Sequence, residues 1–326
     1  MTQLKQSKPL LLRIVSLAWV IVAIGFAGLV LVQGSAEFGK QSFRLNPWLI
    51  GVSFLVACSG LLVAIFAWRR ILSCYGVHQR FRDDVRNYCY GALGLTIPGG
   101  IWAIVGRSVL YERMGARGSQ VAEASVIETL VTGLAAMGVY FCSFFVRPDT
   151  SVWKRPEIAV GFSILLLILI QPKVFGYIRN WLRRRLHKGD SSPVLVFRSR
   201  DLAEWFVLEA IVVTIGGSAL YVLLTSLMPV PLSVLLSVTA AWAAGAAAAN
   251  LFFWLPGTPV LRDGTILLIL SPVLPLPVAI AFVILVRIYS IASLVLMASV
   301  IWLWLDSPLG RKLHSQAFSA HMPNSK

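Results

Sequence analysis

Apolar residues in this chain come in long uninterrupted runs, not in the alternation of a strand or the narrow stripe of a surface helix. Residues 14–32, 48–68 and 231–255 contain no Asp, Glu, Lys or Arg. Each approaches or exceeds the roughly 20 residues that carry a helix across a bilayer. These runs are expected to span, the third as 232–255, and further spanning helices are expected over about 124–146, 158–178 and 205–227 and from Pro277 to about Leu305. Membrane-spanning barrels are excluded, because their strands alternate polar and apolar residues in segments of about ten. The expected fold class is therefore an all-α polytopic membrane protein with seven or eight transmembrane helices. The count depends on whether residues 265–276 complete a crossing or turn back. The first run is longer than the apolar stretch of a signal peptide, about 7–15 residues, and no small-residue cleavage site follows it, so it reads as a span.

Composition agrees: 57% of residues are hydrophobic and 13% charged, and the mean hydropathy is +0.78. A net charge of +15 and a pI near 10.2 raise nucleic-acid binding, so the placement of the basic residues matters. Arg69, Arg70, Arg80, Arg82 and Arg86 follow the second span, and Arg179, Arg183, Arg184, Arg185 and Lys188 follow the fourth. That is the positive-inside pattern of cytoplasmic loops, and Lys5 and Lys8 place the N-terminus on the same side. No nucleic-acid partner is expected. The region of Arg69 to Arg86, with Asp83 and Asp84 inside it and Tyr88 and Tyr90 beyond, reads as interfacial. Cys58, Cys74, Cys89 and Cys142 lack ligand or redox spacing, and His78, His187, His314 and His321 fall in loops or the tail. No metal site, no cofactor and no catalytic constellation are expected, so the chain is not read as an enzyme.

Two segments break the pattern. Residues 91–110, GALGLTIPGGIWAIVGRSVL, are interrupted by Pro98-Gly99-Gly100 and carry Arg107. About half a chain later, Pro256-Gly257-Thr258-Pro259 is followed by Arg262-Asp263-Gly264. Proline removes a backbone donor and glycine loosens a helix, so irregular backbone at membrane depth must be buried in protein or line a wet cavity. Two Pro-Gly-broken re-entrant segments are expected, and the echo between them points to two related halves, about 1–188 and 189–306, of one transmembrane domain. Residues 307–326 form a polar tail. Interrupted segments in matching positions of two halves point to a substrate path. Freed N–H groups beside Arg107 or Arg262 favour an anion such as a lipid phosphate. The alternative is a kinked helix whose arginine reaches for the headgroups.

Other charges inside the apolar runs need partners. Arg287 lies ten residues beyond Pro277, about 15 Å into a helix that rises ~1.5 Å per residue, and needs a counter-charge or water at that depth. Glu128, with Glu123 before it, is placed to neutralise Arg107. For Glu128, and likewise Glu209, a structural ion pair and a substrate or proton role both stay open. Lys173, beside Pro172, reads as a snorkelling anchor. Arg107, Arg262 and Arg287 are expected to converge on one cavity.

Residues 96–133, TIPGGIWAIVGRSVLYERMGARGSQVAEASVIETLVTG, resemble the flippase-like transmembrane domain of bacterial lysylphosphatidylglycerol synthetases and its stand-alone relatives. The first motif is matched by Pro98, Gly99, Arg107, Gly115 and Glu128. The second is matched by Pro256, Gly257, Arg262, Asp263 and Gly264, and a helix bearing Arg287 follows. Thr258 stands where the family has glycine, and Asp263 where it has glutamate. The resemblance implies a multi-pass bacterial inner-membrane protein that moves a phospholipid or polyprenyl-linked glycolipid between leaflets. The implied substrate-binding set is Pro98, Gly99, Gly100, Arg107, Glu128, Pro256, Gly257, Arg262, Asp263 and Arg287, with the three arginines on the headgroup phosphate. The competing expectation is a non-transporting accessory or scaffold protein whose partner is a lipid or glycan biosynthetic enzyme. An oligomer is compatible with either. The tail has no room for the synthetases' aminoacyl-transferring domain, so lipid aminoacylation is not expected.

Overall fold

The computed structural model describes residues 46–96, 101–146, 176–177, 180, 197–255 and 257–306. The expected first span at 14–32, almost all of the span at 158–178 with Lys173, the basic residues Arg179, Arg183, Arg184, Arg185 and Lys188, the Pro98-Gly99-Gly100 triplet, Pro256 and the tail lie outside the described residues. Regular structure among the described residues is entirely helical: α1 (Pro47–Cys74), α2 (Phe81–Ala92), a 3-10 turn (Leu93–Thr96), α3 (Ile101–Glu112), α4 (Gly118–Val146), α5 (Ser199–Leu227), a 3-10 turn (Leu232–Val234), α6 (Leu235–Leu251), α7 (Thr258–Leu270) and α8 (Leu276–Ile301), which ends in a π turn (Trp302–Asp306).

Five of these are long and apolar enough to cross a membrane: Pro47–Cys74, Gly118–Ser143, Ser199–Leu227, Leu232–Leu251 and Leu276–Asp306. The protein is an all-α polytopic membrane protein. Local chemistry sets several of the helix ends. Asn46 caps α1, accepting the Trp48 N–H at 3.0 Å, and Pro47 occupies the first turn, where its missing N–H costs nothing. The helix then runs past the apolar window through Arg69 and Arg70. Both are paired there, Arg69 with Asp84 at 3.3 Å and Arg70 with Glu204 at 3.1 Å.

Within the bundle α5 packs along α1, and α6 fills the space between α4, α5 and α7. Small residues permit the closest approach: a Cβ on Gly217 of α5 would stand 2.7 Å from the Thr239 Cα of α6, the kind of backbone contact that joins helices in lipid. Ser53 of α1 donates to the Ala219 carbonyl of α5 at 2.8 Å and meets the Tyr289 hydroxyl of α8 at 3.1 Å, so three spans share one polar knot. Two apolar cores flank it. Trp68, Tyr111, Ile127 and Trp205 anchor one, and Leu223, Leu224, Phe282 and Val286 the other.

Residues 91–110 are not one continuous helix. α3 folds back on α2, so that Gly91 lies against Arg107 and Gly94 against the backbone of Trp102 and Ala103. The hairpin's first helix is fastened to the end of α8: the Tyr90 hydroxyl donates to Asp306 at 2.6 Å, Arg86 pairs with Asp306 at 3.5 Å and Arg82 donates to the Leu305 carbonyl at 3.2 Å. At the second break, Gly257 caps α7 with φ of 97°, a left-handed conformation that favours glycine. α7 ends at Leu270, and the chain turns through 271–275 into α8. The two breaks thus each precede a short helix, α3 of 12 residues and α7 of 13, about 18–20 Å long and too short for ~30 Å of hydrocarbon. Each short helix carries an arginine and leads into a long one.

Candidate functional site

A cavity of about 470 Å³ opens within the bundle. Its α1 wall is apolar and small, built from Ala57, Gly60, Leu61 and Ala64. The lining also carries Arg107 from α3, Ser125, Glu128, Thr129 and Thr132 from α4, and Glu209 from α5. Tyr88 of α2, Trp242 and Asn250 of α6, and Thr258, Pro259 and Arg262 of α7 line it as well. The first turn of α7 therefore faces the cavity with the positive end of its helix dipole.

Arg107 is 7% exposed and Glu128 6%. The two form a direct ion pair, Arg107 Nη1 donating to Glu128 Oε2. An arginine taken out of water needs this partner. Aromatic faces add to it: the guanidinium carbon lies 4.0 Å from the Tyr88 ring centroid and 4.8 Å from that of Trp68, where the ring quadrupoles favour a cation. Trp68 is itself fixed, since its indole N–H donates to the Tyr111 hydroxyl at 2.9 Å and that hydroxyl donates to Asp84 at 2.7 Å. Asp84 closes the chain on Arg69. Burial raises the Asp84 carboxyl above its ordinary value, while the Tyr111 hydroxyl and Arg69 draw it back down. A continuous set of contacts thus ties the cavity arginine to the basic end of α1.

Several polar atoms here have no hydrogen-bond partner: Arg107 Nε, Glu128 Oε1, Glu209 Oε1 and Ser125 Oγ are buried and unsatisfied. Such atoms are costly in a packed interior, and all four belong to residues that line the cavity.

The second motif forms its own cluster. Arg262 binds Asp263 through Nε and Nη2, each at 2.9 Å from Oδ1, and Arg287 Nη1 reaches Asp263 Oδ2 at 2.8 Å. Two arginines share one carboxylate that is 7% exposed, which leaves the cluster with one surplus positive charge. Of the expected residues, Arg107, Glu128 and Arg262 line the cavity. Arg287 does not. Its side chain is 46% exposed and is held at one remove, through Asp263, so the expected convergence of three arginines holds for two. The depth of Arg287 along its helix was readable from sequence, but the direction it faces was not. Gly257 shapes the turn into α7 instead of lining the cavity. Pro98, Gly99, Gly100 and Pro256 are outside the described residues. Sequence reasoning did not select the uncharged members of the lining, Tyr88, Ser125, Thr129, Trp242 and Asn250, and it weighed Glu209 without placing it in the site. The signal available for Glu209 was a carboxylate in an apolar run with no basic residue a turn away.

These features define a polytopic helical membrane protein whose bundle encloses a cavity charged with both signs. The chain belongs to the family of the lysylphosphatidylglycerol synthase transmembrane region, whose model matches residues 14–298. No curated protein matches it.

Proposed function

We propose that this protein moves a lipid between the leaflets of a bacterial inner membrane, without catalysing a reaction on it. The substrate class is a phospholipid or polyprenyl-linked glycolipid, and its headgroup phosphate enters the cavity while the acyl or prenyl chains stay in hydrocarbon. The supporting observation is the cavity itself: apolar and small residues of α1 line it together with Arg107 and Arg262 inside a bundle of candidate membrane spans. Arg262 is the first phosphate ligand in this reading, because the Arg262–Arg287–Asp263 cluster has charge to spare and Arg107 is already committed to Glu128. A guanidinium fork suits a phosphate's paired oxygens. Arg287, exposed on α8 and joined to the same aspartate, stands on the headgroup's route inward. The α2–α3 hairpin is the re-entrant element, entering from the cytoplasmic side together with the N-terminus.

Photolabelling tests lipid entry. With the full chain in proteoliposomes and a phospholipid carrying a photoactivatable group near its headgroup, label is expected on α4 around Ser125 and Thr129 as well as on the outer faces of the bundle. Label confined to outward-facing positions such as Leu55 and Ile288, which are 68% and 61% exposed, would contradict the reading.

A further inference from the structure

The charges around the cavity do not balance in the way an anion site requires. Arg107 is taken up by Glu128, and Arg262 shares Asp263 with Arg287. Glu209 remains. It is 2% exposed, its Oε1 has no hydrogen-bond partner, and it lines the same cavity. It shares that lining with Glu128 and Arg107. The other polar groups in that lining include Arg107 from α3, Tyr88 from α2, Glu128 and Thr132 from α4, Asn250 from α6 and Arg262 from α7. α1 offers only apolar side chains there, and α8 contributes none to the lining. Two carboxylates, Glu128 and Glu209, therefore line one cavity with Arg107 and with Arg262, whose charge is shared with Asp263.

We propose that Glu209 is a proton-binding site, and that its proton is taken up together with the anionic headgroup and released with it. With Glu209 ionised, the central group of Arg107, Glu128 and Glu209 carries one net negative charge and repels a phosphate. With Glu209 protonated, the group is neutral, and the surplus positive charge of the Arg262 cluster draws the anion in. Binding of proton and headgroup is then mutually favourable, and the linkage is reciprocal. The step conserves charge and bonds: one O–H bond forms on the Glu209 carboxylate with a proton from water as the headgroup enters, and the same bond breaks, returning the proton to water, as it leaves. No redox partner or nucleotide is involved. The coupling rests on the transport reading above; the proton site does not.

The experiment has two arms on the full chain in proteoliposomes. Infrared difference spectra over a pH titration are expected to show the carbonyl stretch of a buried carboxylic acid in the wild type, its absence in Glu209→Gln, and its return, shifted, in Glu209→Asp. A spectrum without that band, or one unchanged by Glu209→Gln, overturns the proton site. In the second arm, translocation of headgroup-labelled phosphatidylglycerol is followed with and without an imposed pH gradient. The wild-type rate should rise when the side that the lipid leaves is acidic, and the Glu209→Gln rate should ignore the gradient. A wild-type rate indifferent to pH, or one that follows a sodium gradient at equal pH, overturns the coupling while leaving lipid transport standing. If the wild type moves no lipid, the transport reading and the coupling fall together, and the infrared arm alone decides whether Glu209 binds a proton.

Discussion

Arg107→Ala is expected to destabilise the protein by about 3–5 kcal/mol, the usual cost of removing one partner from a buried ion pair. Glu128 would be left nearly enclosed without its counter-charge, and the Tyr88 and Trp68 faces without their cation. The compensating double substitution, Arg107→Met with Glu128→Leu, should recover most of that loss, because apolar groups of similar volume often replace a buried pair at no net cost. Chemical unfolding in detergent, with monodispersity as the control, measures both. A single mutant as stable as the wild type would mean that the pair is hydrated and not buried. The double mutant also separates structure from function: a folded protein that no longer moves lipid assigns Arg107 a role in transport, whereas a folded and fully active one leaves the pair structural.

The second large effect is one of sign. A Cβ on Gly94 would fall 2.6 Å from the Ala103 amide nitrogen and the Trp102 carbonyl carbon, and backbone atoms cannot rotate away as a side chain can. Gly94→Ala should therefore pry α3 from the turn after α2 and cost about 1–3 kcal/mol, the range for overpacking. Gly264, in the middle of α7, has nothing within 4 Å of an added Cβ, so Gly264→Ala should stabilise by up to ~1 kcal/mol through helix propensity. Thermal melting of the two variants side by side checks the pair of signs. A Gly94→Ala variant that melts no lower than the wild type would contradict the hairpin packing, and a destabilised Gly264→Ala would contradict the open space at α7.

The spans among the described residues were legible because hydrocarbon imposes a length on apolar runs, and residues 205–227 lie wholly within α5 on that ground alone. Helix ends were not, because charge ends an apolar window without ending a helix. α1 continues through Arg69 and Arg70 once Asp84 and Glu204 pair with them. α4 begins at Gly118 instead of near residue 124, since Glu123 is buried and accepts the Tyr75 hydroxyl at 3.2 Å. The Arg107–Glu128 pair was legible for a physical reason: opposite charges in adjoining apolar segments have few other partners. Arg287 shows the limit. Counting along a helix gives depth, but its facing depends on how α7 and α8 pack, and that packing turned it toward Asp263. The aromatic cradle of Trp68 and Tyr88 left no trace in the sequence, because a tryptophan beneath an arginine reads the same as one in an apolar core.

The central claim, that the cavity carries a lipid headgroup across the membrane, is tested most directly by translocation in proteoliposomes. Headgroup-labelled phosphatidylglycerol and a labelled polyprenyl-phosphate-linked sugar would be compared with wild-type protein, with Thr129→Trp and without protein. Thr129 lines the cavity, and an indole there fills it. The account predicts that wild-type vesicles move at least one of the two lipids faster than protein-free vesicles, and that Thr129→Trp of matched melting temperature falls back to the protein-free rate. Wild-type rates equal to the protein-free rate for both lipids, or a Thr129→Trp variant as fast as the wild type, would contradict it.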